Sequence, residues 1–368
     1  MKHKHLPLIA SLTTLLLLTL GAFNLLRPAP PSWAQASVCT RPFVPVATPL
    51  NDLGANEYRR GGTDPTGFTG GLYPNGSNTR PSPHETAGVA LAQQIVPLDT
   101  AGNPDPNGQI VMISVGMSNA FMEFRSFKNL AETDPDTNPQ LVLINGAQPG
   151  QVAQYWTDPN APTWITVTQR LTNTGLTPQQ VQIAWIKQVR TGDGSFPGKA
   201  EQLQADLEAI VQSLLINYPN VKLAYLSSRT RSYVVDEPAL SPEPAAYESG
   251  FAVKWLIEKQ INGADLNYNP ANGPVVAPYL SWGPYLWIDG LNPRSDGRIW
   301  EAADMVGDCT HPSDQGEAKV AAQLLHFFQQ DTTTYPWFNA SGTPPSPNHT
   351  FLPTILKSIA QNQQNRNN

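Results

Sequence analysis

The chain has 368 residues, a formal net charge of -6 and only 14% charged side chains. That length suits one large domain or two small ones, and the acidic balance argues against a nucleic-acid-binding protein, which would present a basic face. Low charge combined with 36 prolines favours long ordered loops around a modest core over a charged, disordered chain.

The first 36 residues have the pattern of an export signal. Lys2 and Lys4 precede an almost wholly apolar run over residues 6–26, and residues 34–36 (Ala-Gln-Ala) form a small-x-small cleavage pattern. We predict a signal peptide over residues 1–36 and a secreted, periplasmic or extracellular protein with no stable membrane insertion after cleavage. An uncleaved anchor is the alternative, because the apolar run is just long enough to span a bilayer.

Two cysteines remain after the signal, Cys39 and Cys309. A pair of cysteines in an exported protein favours a disulfide, and two separate buried thiols are the alternative. The bond would tie the mature N-terminus to the loop around Cys309. It would close a loop of about 270 residues, worth nominally ~5 kcal/mol by chain entropy.

Residues 37–108 are rich in proline and glycine and only weakly periodic. Turn sequences such as residues 61–65 (Gly-Gly-Thr-Asp-Pro) recur there. We predict an N-terminal wrap over the core, with a strand or two near residues 89–96. A small separate lobe is the alternative, although the segment lacks the apolar periodicity for a core of its own.

From residue 109 onward, short β-branched runs typical of buried parallel strands alternate with helical patterns. Strands are predicted over residues 109–115, 141–144, 181–186, 221–226 and 275–282. Helices are predicted over residues 120–130, 199–217, 245–261 and 314–329. This alternation predicts an α/β domain over residues 109–330, with a parallel five-stranded sheet between two helical layers. Right-handed crossovers make the topology doubly wound.

Two further stretches are aromatic. Residues 281–287 (Ser-Trp-Gly-Pro-Tyr-Leu-Trp) either line a substrate cleft or belong to ordinary core packing. Residues 331–368 form a C-terminal tail, in which residues 335–338 (Tyr-Pro-Trp-Phe) are predicted to dock on the domain. The amide-rich end of the tail is predicted to be disordered.

Ligand sites of open parallel sheets lie at the carboxyl ends of the strands. Four stretches of this chain meet that description: Ser118 after the first strand, residues 145–150 after the second, Gln188 after the third, and the loop with Asp308 and His311. We therefore expect these stretches to form one site.

Within that site, Ser118 and His311 are the candidate nucleophile and general base. A hydroxyl needs a base to take its proton, and Asp308, three residues before His311, can hold the imidazole in place. The helix start at Ser118 offers backbone N–H groups to a developing anion. The alternatives are a helix-capping serine and an ordinary helix start in which Asp308 only caps or turns the loop.

Other catalytic patterns are absent. The α/β-hydrolase elbow G-x-S-x-G is not completed, because Ala120 stands at the second glycine position. Ser195 lies in a polar glycine-rich loop and follows no buried strand. H-E-x-x-H is missing and the histidines are scattered, with His84 expected in a loop, so no metal and no other cofactor is predicted.

Residues 116–119 read Gly-Met-Ser-Asn after a strand, and residues 308–312 read Asp-Cys-Thr-His-Pro. Together they resemble the first block (G-D-S) and the last block (D-x-x-H-P) of the SGNH (GDSL-type) hydrolases, with methionine at the aspartate position of the first block. The resemblance covers roughly residues 109–330. It implies a flavodoxin-like three-layer sandwich and a catalytic triad of Ser118, His311 and Asp308.

The two middle blocks of that family supply oxyanion donors. Gly150 is the match for the glycine of the second block, with Gly146 as a rival. Gln188 stands at the place of the third-block asparagine, so this block departs from the family pattern. The resemblance implies an oxyanion hole formed by the N–H groups of Ser118 and Gly150 with the Gln188 amide.

These observations predict a secreted serine esterase of SGNH type that acts on an ester substrate. Family analogy suggests an O-acetyl group on an extracellular polysaccharide. One alternative is a non-catalytic carbohydrate- or surface-binding protein on a degenerate hydrolase scaffold, which the altered third block would favour. The other is acyl transfer to a polysaccharide by the same triad.

Overall fold

The computed structural model describes residues 37–235, 241–263 and 265–345. The predicted signal peptide and the amide-rich C-terminal end lie outside these described residues. The helices are α1 (Leu50–Leu53), α2 (Ser82–Ala92), α3 (Ser118–Thr133), α4 (Pro162–Thr172), α5 (Gly198–Asn217), α6 (Ala245–Ile261), α7 (Asp314–Gln330) and α8 (Tyr335–Phe338). The strands are β1 (Glu57–Arg60), β2 (Asp64–Thr69), β3 (Ile110–Gly116), β4 (Leu141–Ile144), β5 (Val181–Lys187), β6 (Leu223–Leu226) and β7 (Tyr279–Trp282).

Five of the strands form one parallel sheet in the order β4-β3-β5-β6-β7, while β1 and β2 pair as an antiparallel hairpin. Counted along the chain, the parallel strands follow the flavodoxin-like order 2-1-3-4-5. The predicted fold class, an α/β three-layer sandwich with a five-stranded parallel sheet, is therefore confirmed. The strand order reverses beside β3, which places the carboxyl end of β3 at the point where such sheets bind ligands.

Both faces of the sheet are buried, because successive side chains of a strand point to opposite faces and both sets are apolar. On β3, Val111, Ile113 and Val115 belong to one core, while Ile110 and Met112 belong to the other. Helices α4, α5 and α6 contribute to the first core, and α3 and α7 to the second. The sheet is thus held between two helical layers, and its carboxyl edge is left to the loops.

Helix α4 is an element that the sequence analysis does not predict. Pro162 occupies its first turn, and Trp164, Val167 and Leu171 are buried on one side at helical spacing. These signals were present in the sequence. They are weakened by the many threonines and other β-branched residues of the segment, which have low intrinsic helix propensity.

The N-terminal wrap shares the two cores of the sheet. Leu50 and Tyr58 pack in the first core, and Cys39 and Ala92 in the second. The prediction of a strand near residues 89–96 is wrong, because most of that run lies in α2 or in the turn that follows α2. A short apolar run does not distinguish a buried strand from a buried helix by periodicity alone, and here packing against the sheet decides for the helix.

The aromatic stretches are part of the core. Trp282, Tyr285 and Trp287 are buried in the first core, so residues 281–287 follow the core-packing alternative. Helix α8 buries Trp337 and Phe338 in the second core, which confirms the predicted docking of this segment. Among the described helices, none is both long and apolar enough to cross a membrane.

His84 lies on α2 and not in a loop, which corrects the sequence-based expectation. Its ring stacks on Tyr279 at a centroid distance of 4.2 Å. Nε2 lies 2.8 Å from the Leu280 carbonyl oxygen, so this nitrogen carries the proton and donates it. Burial is the main cause that lowers the pKa of His84 from 6.5 to about 4. The folded protein therefore favours the neutral imidazole.

We expect His84 to make the fold sensitive to acid. Between pH 6.5 and about 4 the unfolded histidine binds a proton that the folded one rejects. Its contribution is therefore complete above pH 6.5 and is lost as the pH falls. A His84→Gln variant, which keeps an amide donor for Leu280, should lose less unfolding free energy between pH 7 and pH 4 than the parent, by up to about 3 kcal/mol. Urea unfolding at a series of pH values measures this, and parallel pH profiles would contradict it.

Candidate active site

Ser118 is the first residue of α3, directly after the tight turn that ends β3. Met117 is extended and serves as the helix N-cap, so Ser118 is not the capping residue. The turn requires glycine at position 116, because a Cβ there would lie 2.3 Å from the Ala120 Cβ and 2.6 Å from the Lys187 carbonyl oxygen. The unsatisfied N–H groups of a helix N-terminus surround the serine in this position.

Ser118, His311 and Asp308 are joined in one chain of hydrogen bonds. Ser118 Oγ lies 2.7 Å from His311 Nε2, and His311 Nδ1 lies 2.6 Å from Asp308 Oδ2. An ionised carboxylate only accepts, so Nδ1 carries a proton and donates it to Asp308. Nε2 is then the acceptor of the Ser118 hydroxyl proton. This is the tautomer in which a histidine can remove a proton from a serine.

Asp308 is held in its loop by the backbone. Its Oδ1 accepts hydrogen bonds from the N–H groups of Thr310 and His311, each at 2.9 Å. Partial burial works to raise the pKa of Asp308. The donors on His311 and Thr310 outweigh it, so the pKa lies below its usual value. The carboxylate is therefore charged at neutral pH. Ser313, and not Asp308 or His311, is the N-cap of α7.

The loop that carries His311 is anchored to the N-terminal wrap. Cys309 forms the predicted disulfide with Cys39, with Cα atoms 5.0 Å apart. Cys39 also donates its N–H to the Met305 carbonyl, and the Cys309 carbonyl accepts from Tyr233 N–H. The backbone at Cys309 has φ 63°, a left-handed conformation that non-glycine residues rarely adopt. The disulfide therefore sits at the one sharp bend between Asp308 and His311.

The loop of residues 145–150 reaches the same edge of the sheet, where the N–H of Gln148 donates to the Gly116 carbonyl at 2.9 Å. Gly146 donates its N–H to Ser114 Oγ at 3.1 Å, so this group is already occupied. Gly150 has φ 75°, which favours glycine, and its N–H donates to no described residue. Of the two glycines, only Gly150 retains a backbone donor for a ligand.

Gln188 is next to that loop. Its Nε2 donates to the Gln151 carbonyl at 3.4 Å, which brings the two candidate oxyanion residues, Gly150 and Gln188, onto neighbouring loops. An amide nitrogen carries two hydrogens, so one remains for another acceptor. Neither Gly150 nor Gln188 is hydrogen-bonded to Ser118, His311 or Asp308 within the described part of the chain.

A buried ion pair lies next to these loops, and the sequence analysis does not identify it. Lys187 Nζ lies 2.6 Å from both carboxylate oxygens of Glu123, and neither side chain is exposed to solvent. Burial raises the pKa of Glu123 and lowers that of Lys187 to about 8, while each charge opposes the shift of the other. The pair joins α3 to the end of β5. No local sequence signal links two residues so far apart.

No protein-family model matches the sequence, and no curated protein matches it significantly. Among solved structures, the chain is similar to a Bacteroides fragilis protein described as a candidate acylhydrolase, with 9% identity over 67% of this chain and 96% of that one, at a TM-score of 0.35. It is also similar to a GDSL-like lipase from Bacteroides thetaiotaomicron, with 8% identity, 66% and 94% coverage, and a TM-score of 0.35. Likeness at this level says nothing about activity.

We expect the Cys39–Cys309 bond to stabilise the whole fold, since it closes a loop of 270 residues. Replacing both cysteines with alanine should lower the free energy of unfolding by about 2–5 kcal/mol. Urea unfolding followed by tryptophan fluorescence measures this. The parent treated with a reductant is the control and should approach the double variant. An unchanged free energy would show that the bond contributes no stability.

Proposed function

We propose that the protein is a secreted serine esterase of the SGNH kind. One observation carries the proposal: the continuous hydrogen-bonded chain from Ser118 Oγ through His311 to Asp308, with 2.7 and 2.6 Å between the bonded atoms. It brings together two sequence blocks that resemble the first and last blocks of that family. The disulfide supports an oxidising, extracytoplasmic location, where such bonds persist.

In the proposed acylation step, Ser118 Oγ attacks the ester carbonyl carbon and its proton passes to His311 Nε2. Asp308 stays charged and stabilises the imidazolium that forms. The carbonyl π electrons move to the oxygen, which becomes an oxyanion. When this intermediate collapses, the bond to the alkoxy oxygen breaks. His311 then donates its proton to the departing alcohol and leaves an acyl-enzyme on Ser118.

Water completes the proposed cycle. The water oxygen attacks the acyl carbon while His311 takes a proton from that water. The second intermediate then collapses, the bond between Ser118 Oγ and the acyl carbon breaks, and the free acid leaves. The same proton returns to Ser118 Oγ. In both steps the oxyanion would lie at the N-terminus of α3, near the N–H groups of Ser118 and Gly150 and the Gln188 amide. Hydrogen-bond donors that the fold holds in position before the reaction stabilise the charge of an oxyanion strongly.

The proposed substrate is an ester, such as an O-acetyl group on an extracellular polysaccharide. This class comes from the SGNH resemblance. An alcohol acceptor in place of water would turn the same steps into acyl transfer. Product analysis with and without added polysaccharide separates the two, because transfer consumes the acyl group without releasing free acid.

The first test is labelling of the mature protein with a fluorophosphonate, which reacts with activated serines. We expect the parent to be labelled, and Ser118→Ala and His311→Ala to lose labelling and to retain only a small residual rate of p-nitrophenyl acetate hydrolysis while remaining folded. Ser195→Ala is the matched control, since that serine is exposed in the loop between β5 and α5 and is not part of the hydrogen-bonded triad, and it should behave like the parent. A folded parent that is not labelled would favour the non-catalytic binding alternative.

The oxyanion role of Gln188 is tested separately. Gln188→Ala should lower kcat by about 10²–10³ with little change in KM, as expected when a donor acts mainly in the transition state. Gln182→Ala is the control, because Gln182, which lies on β5, is likewise buried and likewise donates to a backbone carbonyl. The control should lose stability and keep kcat. Equal kcat values for the two variants would remove Gln188 from the oxyanion hole.

A further inference from the structure

Ser118 and His311 must stay within hydrogen-bond distance, although they belong to segments that are far apart in sequence. Ser118 belongs to α3, and His311 lies 193 residues later in a loop that has no regular secondary structure of its own. A misplacement of about 1 Å in a catalytic group can reduce a rate ~10²-fold. A contact that joins this loop directly to the start of α3 would limit such misplacement.

One such contact is made by Asn119, the residue after Ser118. Its Nδ2 donates a hydrogen bond of 2.6 Å to the carbonyl oxygen of Thr310, the residue before His311. Asn119 and Thr310 are each 3% exposed. A hydrogen bond shielded from water is stronger electrostatically, and its loss leaves the buried carbonyl without that donor.

The two dipeptides are thus connected twice. Ser118 contacts His311 through Oγ and Nε2, and Asn119 contacts Thr310 through Nδ2 and the carbonyl oxygen. Each residue of one contact is covalently bonded to a residue of the other contact. The second contact therefore limits how far the imidazole can move from the serine. The first contact contains the reacting atoms, and the second contains none.

Thr310 is fixed from a second direction. Arg229, which follows β6 and is buried, donates through Nη2 to Thr310 Oγ1 at 3.3 Å. The side chain of Thr310 is therefore bonded to the segment that follows β6, while its carbonyl is bonded to α3. The Asn119 amide is the part of this arrangement that comes from the same helix turn as the serine.

We propose that Asn119 is a positioning residue for the reaction: its amide holds the Thr310 carbonyl and so sets the position of His311 relative to Ser118. The inference rests on the proposed function, because it assigns a role within the same site. Asn119 would touch neither the substrate nor the reacting atoms. Its removal should reduce the rate of the chemical steps more than substrate binding.

The experiment compares Asn119→Ala and the near-isosteric Asn119→Leu with the parent. Both variants should lower kcat for p-nitrophenyl acetate, and the second-order rate of fluorophosphonate labelling, by about 10–100-fold, with KM within about threefold. Asn119→Asp should be at least as impaired at pH 8, because it places a carboxylate oxygen against a carbonyl oxygen.

Asn339→Ala is the matched control. Asn339 is also 3% exposed, and its Nδ2 donates to the carbonyls of Gln329 and Thr343, but it contacts none of the proposed triad residues. This variant should lose thermal stability and keep the parental kcat. It separates a general packing defect from a defect in the reaction.

A double variant tests whether Asn119 acts through His311. In a His311→Ala background, adding Asn119→Ala should cause no further loss of the residual p-nitrophenyl acetate rate, since there is no imidazole left to position. A further loss of tenfold or more would overturn the inference, and so would a single Asn119→Ala variant with parental kcat in a protein that is labelled. If the parent itself is not labelled, the proposed function fails first and the inference fails with it.

Discussion

The buried ion pair between Lys187 and Glu123 joins α3 directly to the carboxyl end of β5. Two charges without exposed surface are costly to desolvate, and this pair is tolerated because the ammonium contacts both carboxylate oxygens at 2.6 Å. Glu123 is on the same helix as Ser118, and Lys187 is the last residue of β5, directly before Gln188. The interaction thus joins the helix of the proposed nucleophile to the strand end that a proposed oxyanion donor follows.

The opposite side of the site depends on contacts from distant parts of the chain. The loop with Asp308 and His311 is bound to the N-terminal wrap by the Cys39 disulfide and to α3 by Asn119. Hydrogen bonds within the loop fix Asp308 relative to His311. They do not fix the position of the loop relative to the sheet. The wrap is therefore part of the support of the proposed triad and not only a cover for the core.

Sequence patterns predicted the main elements well where burial and periodicity agree. The strand Leu141–Ile144 and the helix Ala245–Ile261 have the predicted bounds, since a β-branched run and a long apolar stripe each favour one structure. The patterns failed in α2 and α4, where short apolar runs or β-branched residues do not distinguish a helix from a strand or a loop. His84 was misplaced for the same reason, because α2 was not recognised as a helix.

The sequence by itself determined the strand–helix alternation, the serine after the first buried strand and the Asp-x-x-His spacing. These depend on local backbone preferences and on which side chains avoid water. Only the tertiary structure decided the partners of Lys187 and Asn119, because a contact across many tens of residues leaves no local pattern. It also showed that the Gly146 N–H donates to Ser114, whereas the Gly150 N–H donates to no described residue. Which N–H a neighbouring side chain occupies depends on how the loops pack against the sheet.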